Sequence, residues 1–388
     1  MDAMLGNCSL DRLRKRQSFK WRAYPPDVLP SFVAEMDFDL AEPVAEAVRA
    51  ALALGDTGYP HRGQLGEAFA AFAAKRLRWQ VDPDAVFSIP DVMTGIAEMA
   101  QALTPPGSAI VINPPVYPPF FFRRGFTGRR IVEAPLRRDE GGRYDLDPEA
   151  LDRALAADGV SAYLLCSPHN PTGRVWSREQ LMTVANICQR RGVILLADEI
   201  HAPLVLPGAQ HVSVLSLDHD MTQRSIVFTS ASKGWNIAGL KCGVAVAGAP
   251  EYARVLTERV EALLAGNIGV LANVAAFTDG LPWLDALIGQ LDRNRGVLAD
   301  LLAERLAGVG YVPPEASFLA WLDCRALGLG ANPAAEFLAR GRVALGQGPD
   351  FGTQGTGFVR LNMGTSPELI GAAVDRMAAS VPARPGEQ

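Results

Sequence analysis

The sequence predicts an α/β protein. A large, mostly parallel sheet carries helices on both faces, and a smaller α/β unit is assembled from both ends of the chain. Three observations point there. From about residue 85 to 250, short apolar runs alternate with helical patterns, which is how strands and crossover helices of a parallel sheet read. From about 250 to 310 the apolar residues recur at helical spacing. Two further strand-like runs and a closing helix follow, and the first 45 residues contain a helical run of their own.

In chain order, EPVAEAVRAALAL (42–54) reads as a helix. AIVIN (109–113), AYLLC (162–166), VILLAD (193–198), SIVFT (225–229) and GVAVAG (243–248) are short and apolar throughout, as strands buried on both faces must be. SREQLMTVANICQRRG (177–192) reads as a helix with Ser177 as N-cap, Glu179 and Gln180 in the first turn, and Gly192 at the close. WLDALIGQLDRNRGVLADLLAERLAG (283–308) is a long helix. FLAWLD (318–323) and FVRLN (358–362) are strands of the smaller unit, and PELIGAAVDRMAAS (367–380) is its last helix. The expected division is 1–47 and 283–388 for the small domain and 48–282 for the large one.

Composition excludes several classes of function. Of 388 residues, 48% are hydrophobic and 20% charged, ordinary values for a folded protein. The net charge of -5 gives no electrostatic footprint for a nucleic acid. No apolar stretch is long enough to cross a bilayer, and residues 1–20 are too charged for a secretory signal. The five cysteines (Cys8, Cys166, Cys188, Cys242, Cys324) are odd in number and form no C-x-x-C pair. That argues against a disulfide framework and against zinc, and for a reducing cytoplasm. Five scattered histidines make a histidine metal site unexpected as well. There is no repeat at solenoid spacing, and the only biased tract is the tail at 382–388.

Only five of the 37 basic residues are lysines: Lys15, Lys20, Lys75, Lys233 and Lys241. Any lysine that chemistry needs comes from this short list. In open α/β sheets ligands lie outside the carboxyl ends of the strands, and three polar clusters fall there. Asn170 lies in SPHNPTG after strand 162–166. Asp198 ends VILLAD and is followed by Glu199, Ile200 and His201. Lys233 lies in SASKGWNIAGLK after strand 225–229. Each alone has an ordinary reading: a turn, a helix cap, a solvated lysine. Together they suit one chemistry. A lysine forms a Schiff base with an aldehyde cofactor, of which pyridoxal phosphate is the usual one. Its ring nitrogen needs an anion, here Asp198, and its ring oxygen needs donors, here Asn170 and His201. Its phosphate needs hydroxyls, amides and a cation, for which Ser230, Ser232 and Lys241 are available.

SPHNPTG, ADEIH and SASKGWNIAGLK, in this order and spacing, resemble the fold-type I pyridoxal-phosphate enzymes of the aminotransferase class I/II family. KWRAYPPDVLPSFVAEMDF (20–38), INPPVYPPFF (112–121), FLAWLDCRALGL (318–329) and FVRLNMGT (358–365) resemble its MalY/PatB-type carbon–sulfur β-lyases. The resemblance implies a seven-stranded, mostly parallel sheet in the large domain and a homodimer with shared active sites. It also implies roles for individual residues. Lys233 matches the Schiff-base lysine, Asp198 the ring-nitrogen partner and Asn170 the ring-oxygen donor. His201 stands where many aminotransferases carry tyrosine. Tyr117 matches the aromatic stacked on the ring and a proton source for the leaving group. Ser230 and Lys241 match phosphate contacts, beside the backbone amides of Val92, Met93 and Thr94 as further candidates. Arg360, with Asn170, matches the grip on the substrate α-carboxylate, for which a planar fork is suited. Tyr59 matches a tyrosine reaching across to the neighbouring subunit's phosphate and substrate, and Arg62 beside it is a further candidate contact.

The sequence departs from that pattern in places. Asp91 stands where a small residue is usual beside the phosphate. Ala202-Pro203 replaces an acidic residue, and Glu368 replaces an arginine often found there. The activity implied is β-elimination of a cysteine thioether to thiol, pyruvate and ammonia. Transamination, and a decarboxylating or oxidative reaction of specialised biosynthesis, would use the same residues. A ligand-sensing regulator of the same fold would need a winged-helix domain, and the region before residue 40 is too short for one.

Overall fold

The computed structural model describes residues 3–6, 9–121, 128–260 and 264–382. Cys8 and nearly all of the 382–388 tail lie outside these residues. The strands are, in chain order, β1 (Leu29–Ser31), β2 (Val86–Ile89), β3 (Ala109–Ile112), β4 (Arg130–Glu133), β5 (Val160–Cys166), β6 (Ile194–Asp198), β7 (Ser225–Thr229) and β8 (Gly243–Ala247). β9 (Gly310–Tyr311), β10 (Leu319–Asp323), β11 (Val343–Gln347) and β12 (Phe358–Asn362) follow. A small hairpin pairs 137–138 with 144–145.

Seven strands form the large sheet in the order β2-β8-β7-β6-β5-β3-β4. Only β8 runs against the rest, pairing antiparallel with both β2 and β7. The mostly parallel, seven-stranded sheet expected from the sequence is thus present. Its central strands are covered on both sides. Tyr163, Leu165, Leu195, Ala197 and Val227 enter one hydrophobic core, while Leu164, Cys166, Leu196 and Phe228 enter another on the opposite face. That alternation is the period-two geometry of a strand, and continuous apolar runs result because both faces are dry.

The smaller sheet has the order β1-β11-β12-β10-β9. β1 joins it from the N-terminal end, parallel to β11, so both chain ends do build this unit. Two helices run across the residues where domain boundaries were expected. Helix Glu42–Leu54 passes unbroken through 47 and packs on helix Asn267–Phe277. Helix Leu281–Arg305 belongs to both units. Trp283, Leu284 and Leu287 enter the large domain's core, while Leu298 and Leu302 enter the small domain's core.

Helix Arg178–Arg191 has the ends its sequence calls for. Ser177 and Gln180 form a reciprocal capping box, and Gly192 closes the helix at φ 69°, a left-handed position that glycine takes at little cost. Strands β1, β2, β4, β9 and β11 were not among the sequence expectations. β1, β2 and β4 are only three or four residues long, too short for a periodicity to register.

Candidate active site

Register brings three strand ends side by side. Cys166 pairs with Asp198 across β5 and β6, and Asp198 with Phe228 across β6 and β7. The segments that follow these strands, carrying Asn170, His201 and Lys233, therefore open into one crevice. Arg360 arrives from β12 of the small sheet and donates from Nη1 to the Asn170 Oδ1 at 3.1 Å. Asp198, His201, Asn170 and Arg360 are buried, and Lys233 and Tyr117 are half-buried.

Asp198 is held by a turn that is itself anchored from below. Glu199 accepts from the Val214 amide at 2.9 Å and lies 3.0 Å from His211 Nε2. Asp198 Oδ1 accepts from the Ile200 amide at 3.1 Å. Burial raises its pKa to about 7, although that amide and Lys233 pull the other way. Burial lowers His201 to about 3, assisted by the positive charges of Lys233 and Arg360, so this ring is neutral. Its Nδ1 is buried without a partner among the described residues.

Lys233 Nζ donates to the Ala34 carbonyl at 2.7 Å. Burial lowers this amine to about 8, helped by Arg360 and opposed by Asp198 and Glu35. Arg360 is itself drawn down to about 10 by burial, which leaves it charged at neutral pH. Its guanidinium lies 5.0 Å from the Phe351 ring centroid, and its Nε is a buried donor without a partner among the described residues. Burial raises Tyr117 above its ordinary value, against the pull of Arg360. A cavity of about 800 Å³ opens beside Lys233, lined among others by Ser18, Glu35, Asn236 and Phe38.

A strap of backbone, residues 32–36, crosses the crevice, and site side chains tie it down. Arg360 Nη2 donates to the Phe32 carbonyl at 2.9 Å. Asn362 Nδ2 reaches the carbonyls of Val33 and Glu35 at 2.8 and 2.6 Å. Asn236 clasps Met36 through both its amide and its carbonyl, at 2.8 and 2.9 Å. Below it, Lys20 and Asp37 form a fully buried ion pair at 2.8 Å, and Lys20 also donates to the Glu35 carbonyl at 3.0 Å. Asn236, Asn362 and this strap were missed as site residues. The only available signal was that all three lie inside the family-like segments 20–38, 230–241 and 358–365.

The candidate phosphate contacts are also placed. Ser230 Oγ donates to the Cys242 carbonyl at 2.7 Å and accepts from the Ser232 amide at 2.9 Å. That leaves the Ser232 hydroxyl as donor in the 2.7 Å contact between the two. Val92, Met93 and Thr94 open helix Val92–Leu103, with Asp91 as N-cap. Lys241 forms an ion pair with Asp91. Tyr59, by contrast, is 90% exposed and is not part of this cluster within one chain. Arg62 turns to the Pro83 carbonyl and to Asp84. Pro203 packs against Gly234, where a Cβ would lie 3.1 Å from the proline Cβ.

Aminotransferase class I and II sequences, taken as a family, match residues 33–377 of this chain. The chain belongs to that family.

Within the aminotransferase class I and II family, the chain is 43% identical to a Mycobacterium leprae protein provisionally named cystathionine beta-lyase, over 96% of this chain and 97% of that protein. It is 36% identical to the cystathionine beta-lyase PatB of Bacillus subtilis, covering 92% and 93%. Among solved structures, cystalysin of Treponema denticola, which contains a pyridoxal 5'-phosphate cofactor, matches with a TM-score of 0.89. The identity is 27%, over 95% of this chain and 96% of that one.

The residues present fit such a cofactor. A buried carboxylate with one amide donor can take a pyridinium nitrogen. The unpartnered His201 ring nitrogen can meet a ring oxygen, as can the Asn170 amide group, whose oxygen is already committed to Arg360. The Ser232 hydroxyl, a helix N-terminus and Lys241 suit a phosphate, with Ser230 holding Ser232 in place. Among the described residues no group of histidine, cysteine, aspartate and glutamate could hold a metal ion. No helix among them is long and apolar enough to cross a membrane.

Proposed function

We propose that this protein is a pyridoxal-phosphate-dependent carbon–sulfur β-lyase, converting a cysteine thioether and water into a thiol, pyruvate and ammonia. The observation that carries the reading is the meeting of half-buried Lys233 with buried Asp198 and Arg360 in the crevice outside the strand ends. Bound at Lys233, the cofactor supplies an electron sink for the charge that develops at the substrate Cα.

Asp198 is stabilised as an anion when the cationic ring nitrogen lies against it, which keeps that nitrogen protonated. Arg360 grips the α-carboxylate, for which its unpartnered Nε is a ready donor. Fixing that end orients the Cα–H bond toward Lys233. Lys233 Nζ takes the proton, and an amine lowered to about 8 is suited to do so near neutral pH. Tyr117 Oη gives a proton to the departing sulfur.

A homodimer belongs to the same reading. Tyr59 is exposed, and Leu52 and Leu54 are exposed apolar residues in the chain segment before it, a pattern a second copy would cover. The four described cysteines are free and buried, in keeping with a cytoplasmic protein.

The test is to mix the cofactor-loaded protein with cystathionine and with S-methylcysteine and to assay pyruvate and thiol. Equal release of both supports β-elimination. A keto acid without thiol would make the protein an aminotransferase, and carbon dioxide would make it a decarboxylase.

A further inference from the structure

Asp91 occupies the N-terminus of helix Val92–Leu103, where the candidate contacts for the cofactor phosphate gather. Its Oδ1 accepts from the Thr94 amide at 2.9 Å, and its Oδ2 accepts from the Thr94 hydroxyl at 3.0 Å. The same Oδ2 is paired with Lys241 Nζ. A carboxylate thus sits among a helix-end amide, a hydroxyl and an ammonium, the donors that an incoming phosphate would use.

The lysine is not placed there by chance packing. Lys241 has a left-handed backbone, φ 56° and ψ 65°, which costs a residue with a Cβ about 1 kcal/mol or more. Its carbonyl accepts from the Gly266 amide at 3.0 Å, and the next carbonyl, of Cys242, accepts from Ser230 at 2.7 Å. The fold therefore pins the Lys241 backbone, from which the side chain reaches Asp91. Burial opposes ionisation of Asp91, but Lys241 and Thr94 outweigh it and hold the carboxyl below its ordinary range. The group is an anion at working pH.

We infer that Asp91 is a built-in competitor for the cofactor phosphate: it keeps the cradle assembled while the phosphate is absent and yields Lys241 when the phosphate enters. This rests on the proposed function. The consequence is a cofactor held more weakly, and exchanged more readily, than by the same site with a neutral residue at 91. A doubly charged phosphate and a carboxylate cannot share one ammonium without repulsion.

The experiment measures equilibrium binding of pyridoxal phosphate, and of pyridoxal without its phosphate, to the cofactor-stripped full chain and to Asp91→Asn and Asp91→Ser. Both variants keep a helix cap, since asparagine and serine cap as well as aspartate, and thermal melting checks that both fold. The expected result is pyridoxal phosphate bound about tenfold more tightly by both variants, with pyridoxal affinity unchanged. Unchanged or weaker pyridoxal phosphate affinity overturns the inference, because Asp91 then contributes to the cradle instead of competing for it. Equal tightening of pyridoxal overturns it too, since the effect would not pass through phosphate. Failure of the wild-type chain to bind pyridoxal phosphate at all overturns the proposed function itself, and this inference with it.

Discussion

Arg360 of the small sheet donates to the side-chain oxygen of Asn170, from the loop after β5 of the large sheet, at 3.1 Å. Through this one bond the residue expected to hold the substrate carboxylate is positioned by a residue expected to touch the cofactor ring. Arg360→Ala should raise KM for amino-acid substrates about 10- to 100-fold, the worth of a hydrogen bond to a charged group. Cofactor attachment should survive. Arg360→Lys should recover only part of the loss, because a lysine cannot present a fork. An unchanged KM in steady-state kinetics would place the carboxylate elsewhere.

Lys233 is held near pKa 8 by burial and by Arg360, against an ordinary value of 10.5. Attack on an aldehyde needs the neutral amine. The rate of covalent attachment of pyridoxal phosphate, trapped by borohydride and read by mass, should therefore climb with pH and level off above about 8. A rate still rising steeply at pH 10 would contradict the shift. Lys233→Ala should show no attachment at all and lose at least about a thousandfold in elimination rate.

The buried carboxyl of Asp198 is raised from 3.8 to about 7. Its proton stabilises the cofactor-free fold fully below about 3.8, and that contribution is lost as pH rises through about 7. Asp198→Asn should remove the loss. The melting temperatures of the variant and wild-type cofactor-free proteins should be close at pH 4 and diverge by pH 8, the variant being more stable by on the order of a few kcal/mol. Lys233, lowered to about 8, acts in a different window, adding stability as pH rises from about 8 toward 10.5. A constant gap between the two proteins would refute the assignment. The same variant should be nearly inactive.

Lys20 and Asp37 are both fully buried and pair at 2.8 Å. Lys20→Met leaves a carboxylate buried without this cation and should cost about 3–5 kcal/mol in urea unfolding. Lys20→Met with Asp37→Leu should recover much of that loss, since an apolar pair of similar volume needs no desolvation. If the double variant is no better than the single one, the pair is needed for the shape of the strap and not only for its charge balance.

Tyr117 is raised by burial and so keeps its proton at neutral pH, as a proton donor must. Tyr117→Phe should slow elimination about 10- to 100-fold for substrates whose leaving thiol is weakly acidic. It should matter little for an acidic thiol such as a nitrophenyl conjugate. Equal slowing of both classes would assign Tyr117 to ring packing.

Much of this was legible beforehand, for physical reasons. The central strands are dry on both faces, so AYLLC, VILLAD and SIVFT stand out as apolar runs, and the polar residues after them mark the crevice. Helix Glu42–Leu54 starts and stops where its sequence run does. What the sequence hid were contacts made by backbone. The carbonyls of residues 32–36 that receive Lys233, Arg360 and Asn362 carry no side-chain signature. β1 was also invisible, because three residues, one of them proline, become a strand only when β11 lies beside them. Asp91 was recognised as out of place beside a phosphate, but its pairing with Lys241, 150 positions away, could not be read from either residue alone.

The strap has a consequence for how the protein comes into being. Residues 32–36 leave the ribosome well before their partners, which lie about 200 to 330 positions later. No nascent chain that ends before Arg360 and Asn362 can close the crevice, however well its large sheet has formed. The contacts that complete the candidate site are thus among the late ones to assemble, and a chain arrested before them would be folded in part but chemically silent.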